Sequence, residues 1–202
     1  MRTWALAATS ALVLVLLGLL GLGAVLLRGG IGVRTEPSAL ETRLALGLRG
    51  FGLRAARGKA NPVPASAEAL AEGRAHFADH CASCHGNDGG GQVGMGPNLY
   101  PRAPDMRLAA TQGLTDGELF AIIENGVRFT GMPAWGDQSE ESQRASWHLV
   151  HFIRHLPRLT PDELLQMEAL NPKAPEDRQE EQDDEDFLNG KNPAPSTGGH
   201  HH

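Results

Sequence analysis

From Trp4 to Leu27 the chain places no charged residue among 24 positions, and Leu, Val, Ala and Gly fill nearly all of them. A helix of that length crosses the apolar core of a bilayer. Cleavage as a signal peptide after the small-x-small triplet Gly21-Leu22-Gly23 is the alternative, but the apolar run continues through Ala24, Val25, Leu26 and Leu27. Residues 1–30 therefore read as a transmembrane anchor in preference to a signal peptide. The pattern then changes. Leu40, Leu44, Leu48, Phe51 and Ala55 recur at helical spacing, with Arg43, Arg49, Arg54 and Arg57 elsewhere around the wheel. Such a segment forms a helix lying on a membrane surface, or, since Gly47, Gly50 and Gly52 each weaken a helix, a loose spacer. Lys59 to Ser66, with two prolines, reads as an extended linker that ends an amphipathic and linker segment over 31–65.

A second regime of periodicity occupies residues 66–158. Ser66 is a candidate N-cap for a helix carrying Leu70, Gly73 and Phe77 into Cys81. A long loop rich in Gly, Pro and Asn runs from Gly86 to about Ala110, a length that in a small domain signals function, here the wrapping of a cofactor. Thr115-Asp116-Gly117-Glu118 has the capping-box pattern and opens a short helix ending at Asn125-Gly126. A second loop, Val127 to Gln138, leads to Ser139, which caps a helix bearing Trp147, Leu149, Val150, Phe152, Ile153 and Leu156 and stopping at Pro157. Thr160-Pro161-Asp162-Glu163 caps one more short helix within 159–171. Residues 172–202 are acidic, contain Pro and lack the apolar residues for a core, so they read as a disordered tail. The expected fold is all-α: a few short helices around one site, behind an N-terminal transmembrane helix.

Composition sharpens this picture in three ways. Aromatic residues make up only 5% of the chain, and a small domain short of large side chains needs a staple, metal or buried cofactor. Only two cysteines exist, Cys81 and Cys84, so no disulfide framework is available and no cysteine near the N-terminus can carry a lipid. The net charge of -6 is unevenly spread, with Arg concentrated between residues 28 and 59 and Asp and Glu between 176 and 186. Nothing in it forms a nucleic-acid-binding surface or motif.

The chemistry converges on Cys81-Ala82-Ser83-Cys84-His85. Two thiols three residues apart reach the two vinyl groups of one porphyrin while the adjacent imidazole meets its iron, the pattern of covalent haem attachment. A zinc site wants further ligands, and no other Cys exists. A thioredoxin-like pair wants a strand-to-helix context and has no need of the histidine. For the opposite side of the iron, Met132 in Gly131-Met132-Pro133-Ala134-Trp135-Gly136 is the best placed methionine, since Pro133 keeps its backbone out of a helix. Met95 and Met106 are rivals, as are His148, His151 and His155, although on a helix such histidines are more often polar-face residues. Trp135 is a candidate cover for the haem edge or a propionate, and Arg128 a candidate propionate partner; simple packing and a solvated arginine are their alternatives. His200, His201 and His202 after Gly-Gly are either a metal-binding tract or an artificial appendage.

Through Cys81-Ala82-Ser83-Cys84-His85-Gly86, Gly96-Pro97-Asn98-Leu99 and Gly131-Met132-Pro133-Ala134-Trp135-Gly136, the stretch from Ser66 to Pro157 resembles class I monohaem cytochromes c. The resemblance implies one covalent haem c with His85 and Met132 as axial ligands, and a Pro97 carbonyl that accepts a hydrogen bond from His85 Nδ1. It further implies that Gly73 and Phe77 cross Leu149 and Phe152. As function it implies single-electron transfer between a redox donor and an acceptor, a respiratory complex among the candidates, rather than catalysis. Because haem is attached in that family on the outer face of bacterial membranes, the expected location is the cytoplasmic membrane with the haem domain on the periplasmic side. The positive-inside bias points the other way, with Arg2 before the span and Arg28 and Arg34 after it. A haem enzyme or a sensor with a displaceable sixth ligand is the alternative reading of the same site.

Overall fold

The computed structural model describes residues 2–26, 28, 32–173, 182, 183 and 185–190, and among these it is helical without a strand. Most of the expected acidic tail, including the terminal histidines, lies outside the described residues. The helices are α1 (Arg2–Leu26), α2 (Ala39–Gly52), α3 (Ala67–His76), α4 (Ala82–His85), α5 (Ala109–Gln112), α6 (Asp116–Asn125), α7 (Glu140–His155) and α8 (Pro161–Glu168). Five begin as their sequences dictate. Ser38, Ser66, Thr115, Ser139 and Thr160 each accept a hydrogen bond from the amide three residues on. At Thr115 and Thr160 the backbone amide in turn donates to the Glu118 or Glu163 carboxylate, which completes a capping box.

Helices α3 and α7 form the central crossing. A Cβ on Gly73 would lie 2.2 Å from the His148 carbonyl oxygen and 3.0 Å from Phe152 Cβ, so only glycine admits the two backbones at this distance. One turn on, Phe77 meets Phe152 at 5.1 Å between ring centroids, and both are fully buried. Burial on that scale stabilises by roughly 1.5–3 kcal/mol for each ring. Leu119, Phe120 and Ile123 of α6 and Trp147, Val150 and Ile153 of α7 extend the core, with Phe120 stacked on Trp147 at 4.1 Å. Helix α8 adds Met167, wholly buried, and is held by Glu163, which accepts from His155 Nε2 at 2.9 Å.

Two elements differ from the sequence reading. The first helix does not run straight into the cysteines: Phe77–Cys81 forms a π-helical turn in which the Ala82 amide bonds to the Phe77 carbonyl. The extra residue rotates everything after it, letting Phe77 enter the core while the cysteine motif starts a new register. The stretch from Lys59 to Ser66 is extended, as expected, but it is docked rather than free. Asn61 Nδ2 donates to the Trp147 carbonyl at 3.1 Å, and the Val63 carbonyl lies 2.8 Å from His151 Nε2. His151 is thereby held by the strap.

Candidate haem site

Cys81 closes the π turn, and Cys84 and His85 lie in the single turn of α4. The chain leaves this turn through Gly86 and immediately folds back over it. The Gly91 amide donates to the His85 carbonyl at 2.7 Å and the Met95 amide to the Ser83 carbonyl at 3.0 Å. This return path is closed to larger residues. A Cβ would lie 2.2 Å from the Ser83 carbonyl oxygen at Gly94, whose φ is +57°, and 2.2 Å from the Cys84 carbonyl oxygen at Gly96. The long glycine-rich loop therefore cradles the backbone of the cysteine motif. Its far limb is fixed by Arg107, whose guanidinium donates to Asp88 at 2.7 Å and to both oxygens of Asp105 at 2.8 and 2.7 Å.

Electrostatics separate the three motif residues. Cys81 keeps part of its surface, yet the protein packed around it, with Cys84 as a lesser influence, pushes its thiol up to about 12. A thiol so resistant to ionisation is a poor redox nucleophile, which argues against a thioredoxin-like pair. His85 is buried, and burial lowers its pKa while the Pro104 carbonyl opposes that shift. A neutral imidazole offers its lone pair to a metal. Its Nδ1 is shut away from solvent and makes no hydrogen bond to any protein group. The expected bond from Nδ1 to the Pro97 carbonyl is thus not made in this structure. Pro97 sits in a 3-10 turn, Gly96–Asn98, and the loop brings Pro104 to the histidine because the Ala103 amide bonds to the Gly96 carbonyl at 3.2 Å.

The loop bearing Met132 is built off the end of α6. The Trp135 and Gly136 amides donate to the Ile123 and Glu124 carbonyls, both at 3.1 Å, and Val127 and Met132 close a tight turn at 3.1 Å. Glu124 accepts from Ser146 at 2.6 Å, which ties this loop to α7. Met132 itself is half-buried. The loop touches the cysteine-motif side at two places. A Cβ on Gly131 would come within 2.6 Å of Leu99, and the Trp135 ring stands edge-on to His80, one residue before Cys81, at 5.1 Å. Trp135 thus bridges the two loops. The rival methionines are elsewhere: Met106 belongs to the hydrophobic core, and Met95 is exposed on the return path. Arg128 is exposed and forms no ion pair among the described residues.

Residues 68–153 match the family model of cytochrome c oxidase, cbb3-type, subunit III. The domain is a class I c-type cytochrome. Its cofactor is haem c, covalently bound, and the residues fit it: a thiol pair at the attaching spacing, a neutral buried histidine with an orphaned Nδ1, and a glycine cradle behind them. Among the described residues no three His, Cys, Asp or Glu side chains converge to hold a metal ion on their own. A cavity of about 490 Å³ beside Ala82, Ser83 and Leu164 is lined by none of Cys81, Cys84, His85 and Met132. No curated protein matches the chain.

Two features beside the cytochrome site carried no signal in the sequence. His80 acts only through its edge-on contact with Trp135. Phe129, three residues before Met132 in the same loop, adopts φ +62° and is 93% exposed, a conformation costing a bulky residue on the order of 1–3 kcal/mol. A local hydrophobic pattern gives no warning of either.

Proposed function

We propose that this chain is a membrane-anchored periplasmic cytochrome that carries single electrons between redox partners, with His85 and Met132 as the axial ligands of its haem. Haem c supplies the one-electron Fe(III)/Fe(II) couple. The protein's part is to hold that couple still. Cys81 and Cys84 bond it to α4 and the π turn, and His85 presents a neutral imidazole. The loop brings the Pro104 carbonyl to the imidazole, while Pro97 stays in the adjoining turn without bonding Nδ1. The Met132 loop, fixed by its bonds to Ile123 and Glu124, brings a thioether without the freedom of a mobile loop. A thioether sixth ligand raises the potential and leaves no coordination position for a substrate, which suits a carrier better than an enzyme or a ligand sensor. Trp135, edge-on to His80, would cover the edge of the site, and the exposed Arg128 would pair with a propionate.

Helix α1 supports the anchor: Leu6–Val25 is long and apolar enough to cross a membrane and is wholly unburied by the rest of the chain. Donor and acceptor are redox proteins. The similarity to a subunit of cbb3-type cytochrome c oxidase makes a respiratory complex the partner we favour.

The observation that carries this reading is the Met132 loop pinned to α6, with Met106 packed in the core and Met95 exposed on the return path. Its test is spectroscopic. The ferric protein is expected to show the weak thioether-to-iron absorption in the near infrared, lost in Met132→Ala and kept in Met95→Ala and Met106→Ala. Survival of that absorption in Met132→Ala would assign the ligand elsewhere.

A further inference from the structure

Helix α2 is amphipathic in the wrong sense for a helix packed only on its own domain. None of its residues is buried, and those nearest the domain are polar or small: Glu41, Arg49 and Gly50 are half-buried. Leu40, Leu44, Leu48 and Phe51, spaced by four, four and three residues along one stripe of the helix, are 41, 45, 73 and 68% exposed. A face of four large apolar side chains turned outward calls for a cover.

The helix is also clamped to the haem domain. Glu41 accepts from the Tyr100 hydroxyl at 2.5 Å, and Glu36, just before the helix, pairs with Arg102 at 3.2 Å. Just after it, Ala56 is buried against Gly117, and Arg57 pairs with Glu118 at 2.9 Å. From Glu36 to Val63 the chain is thus held to the haem domain at both ends.

We propose that the outer face of α2 lies in the headgroup layer of the membrane, making α2 an interfacial helix that sets the attitude of the haem domain to the bilayer. The proposal rests on the reading of α1 as a membrane span. Two observations select lipid as the occupant. Helix α2 begins only 13 residues after α1 ends, so fully extended chain allows a separation of no more than about 45 Å. Arg43 and Arg54 lie together along one edge of the apolar stripe, Arg54 over the Phe51 ring at 5.1 Å, and Arg43 forms no ion pair among the described residues. Apolar side chains edged by arginines match an interface of acyl chains and phosphates.

The experiment uses the full, haem-loaded chain in vesicles of phosphatidylcholine and phosphatidylglycerol. A nitroxide is placed in turn at Leu44→Cys, at Leu48→Cys, at Val15→Cys in the span, and at Glu141→Cys on the exposed start of α7. Cys81 and Cys84 are consumed as thioethers and do not react. Electron paramagnetic saturation is read with oxygen, which concentrates in lipid, and with a water-soluble nickel chelate. The expected result is a several-fold higher oxygen-to-nickel ratio at positions 44 and 48 than at 141, approaching that at 15. Nickel access at 44 and 48 with a lipid-like ratio at 15 overturns the proposal and leaves the anchor intact. Low access to both reagents at 44 and 48 means that protein covers the face, and also overturns it. Nickel access at 15 defeats the anchor reading itself.

Discussion

At Gly73 two effects oppose each other, and their sizes decide the outcome. Replacing a mid-helix glycine by alanine stabilises a free helix by about 1 kcal/mol. Here the added Cβ would sit 2.2 Å from the His148 carbonyl oxygen, a backbone atom that moves only if α7 moves. Overpacking of this kind costs roughly 1–3 kcal/mol or more, so Gly73→Ala is expected to destabilise the domain. A lower denaturation midpoint for the haem-loaded variant, followed by helical circular dichroism, supports the crossing; an unchanged or higher midpoint contradicts it. At the cysteines the expectation is simpler. Haem should migrate with the polypeptide under denaturing electrophoresis, and Cys81→Ala with Cys84→Ala should remove the haem-stained band.

Among the elements, those whose instructions are local were legible in the sequence. Thr115 and Thr160 with their glutamates mark the starts of α6 and α8, and the apolar spacing of Trp147 to Leu156 marks the buried face of α7. The cysteine motif and the Met132 loop were visible for the same reason, since the chemistry and the glycines lie within a few residues. The π turn was not, because it depends on Phe77 seeking a partner far along the chain in α7. The docking of the Arg57–Val63 strap was also hidden: its partners, Glu118, Trp147 and His151, are remote in sequence. Glu118 makes this strap sensitive to pH. The Thr115 amide, and after it Arg57, hold its carboxyl below the usual carboxylate range against the opposing effect of burial. On acidification the unfolded chain therefore takes up this proton before the folded one does. The contribution is complete above the ordinary carboxylate pKa, roughly 4, and is lost as pH falls through the lower folded value. Native protein should accordingly be more stable than Glu118→Gln at neutral pH, and the gap should close on acidification. A pH-independent gap would contradict this assignment.

For the whole molecule, a candidate span precedes a haem domain on which the Glu36–Val63 strap is clamped. With α1 as the anchor, the chain should sediment with membranes, resist high salt and be released by removal of residues 1–30. Recovery of a soluble mature protein that begins near Ala24 would show that the span is cleaved. Function at this scale turns on whether the iron is closed to outside ligands, because a closed site carries electrons and an open one binds or transforms a substrate. The most direct measurement is the mixing of the reduced native protein with carbon monoxide, alongside Met132→Ala. The account expects no spectral change on the native protein and rapid binding to the variant. Ready binding by the native protein would contradict the carrier reading and place an open coordination position at the centre of its function.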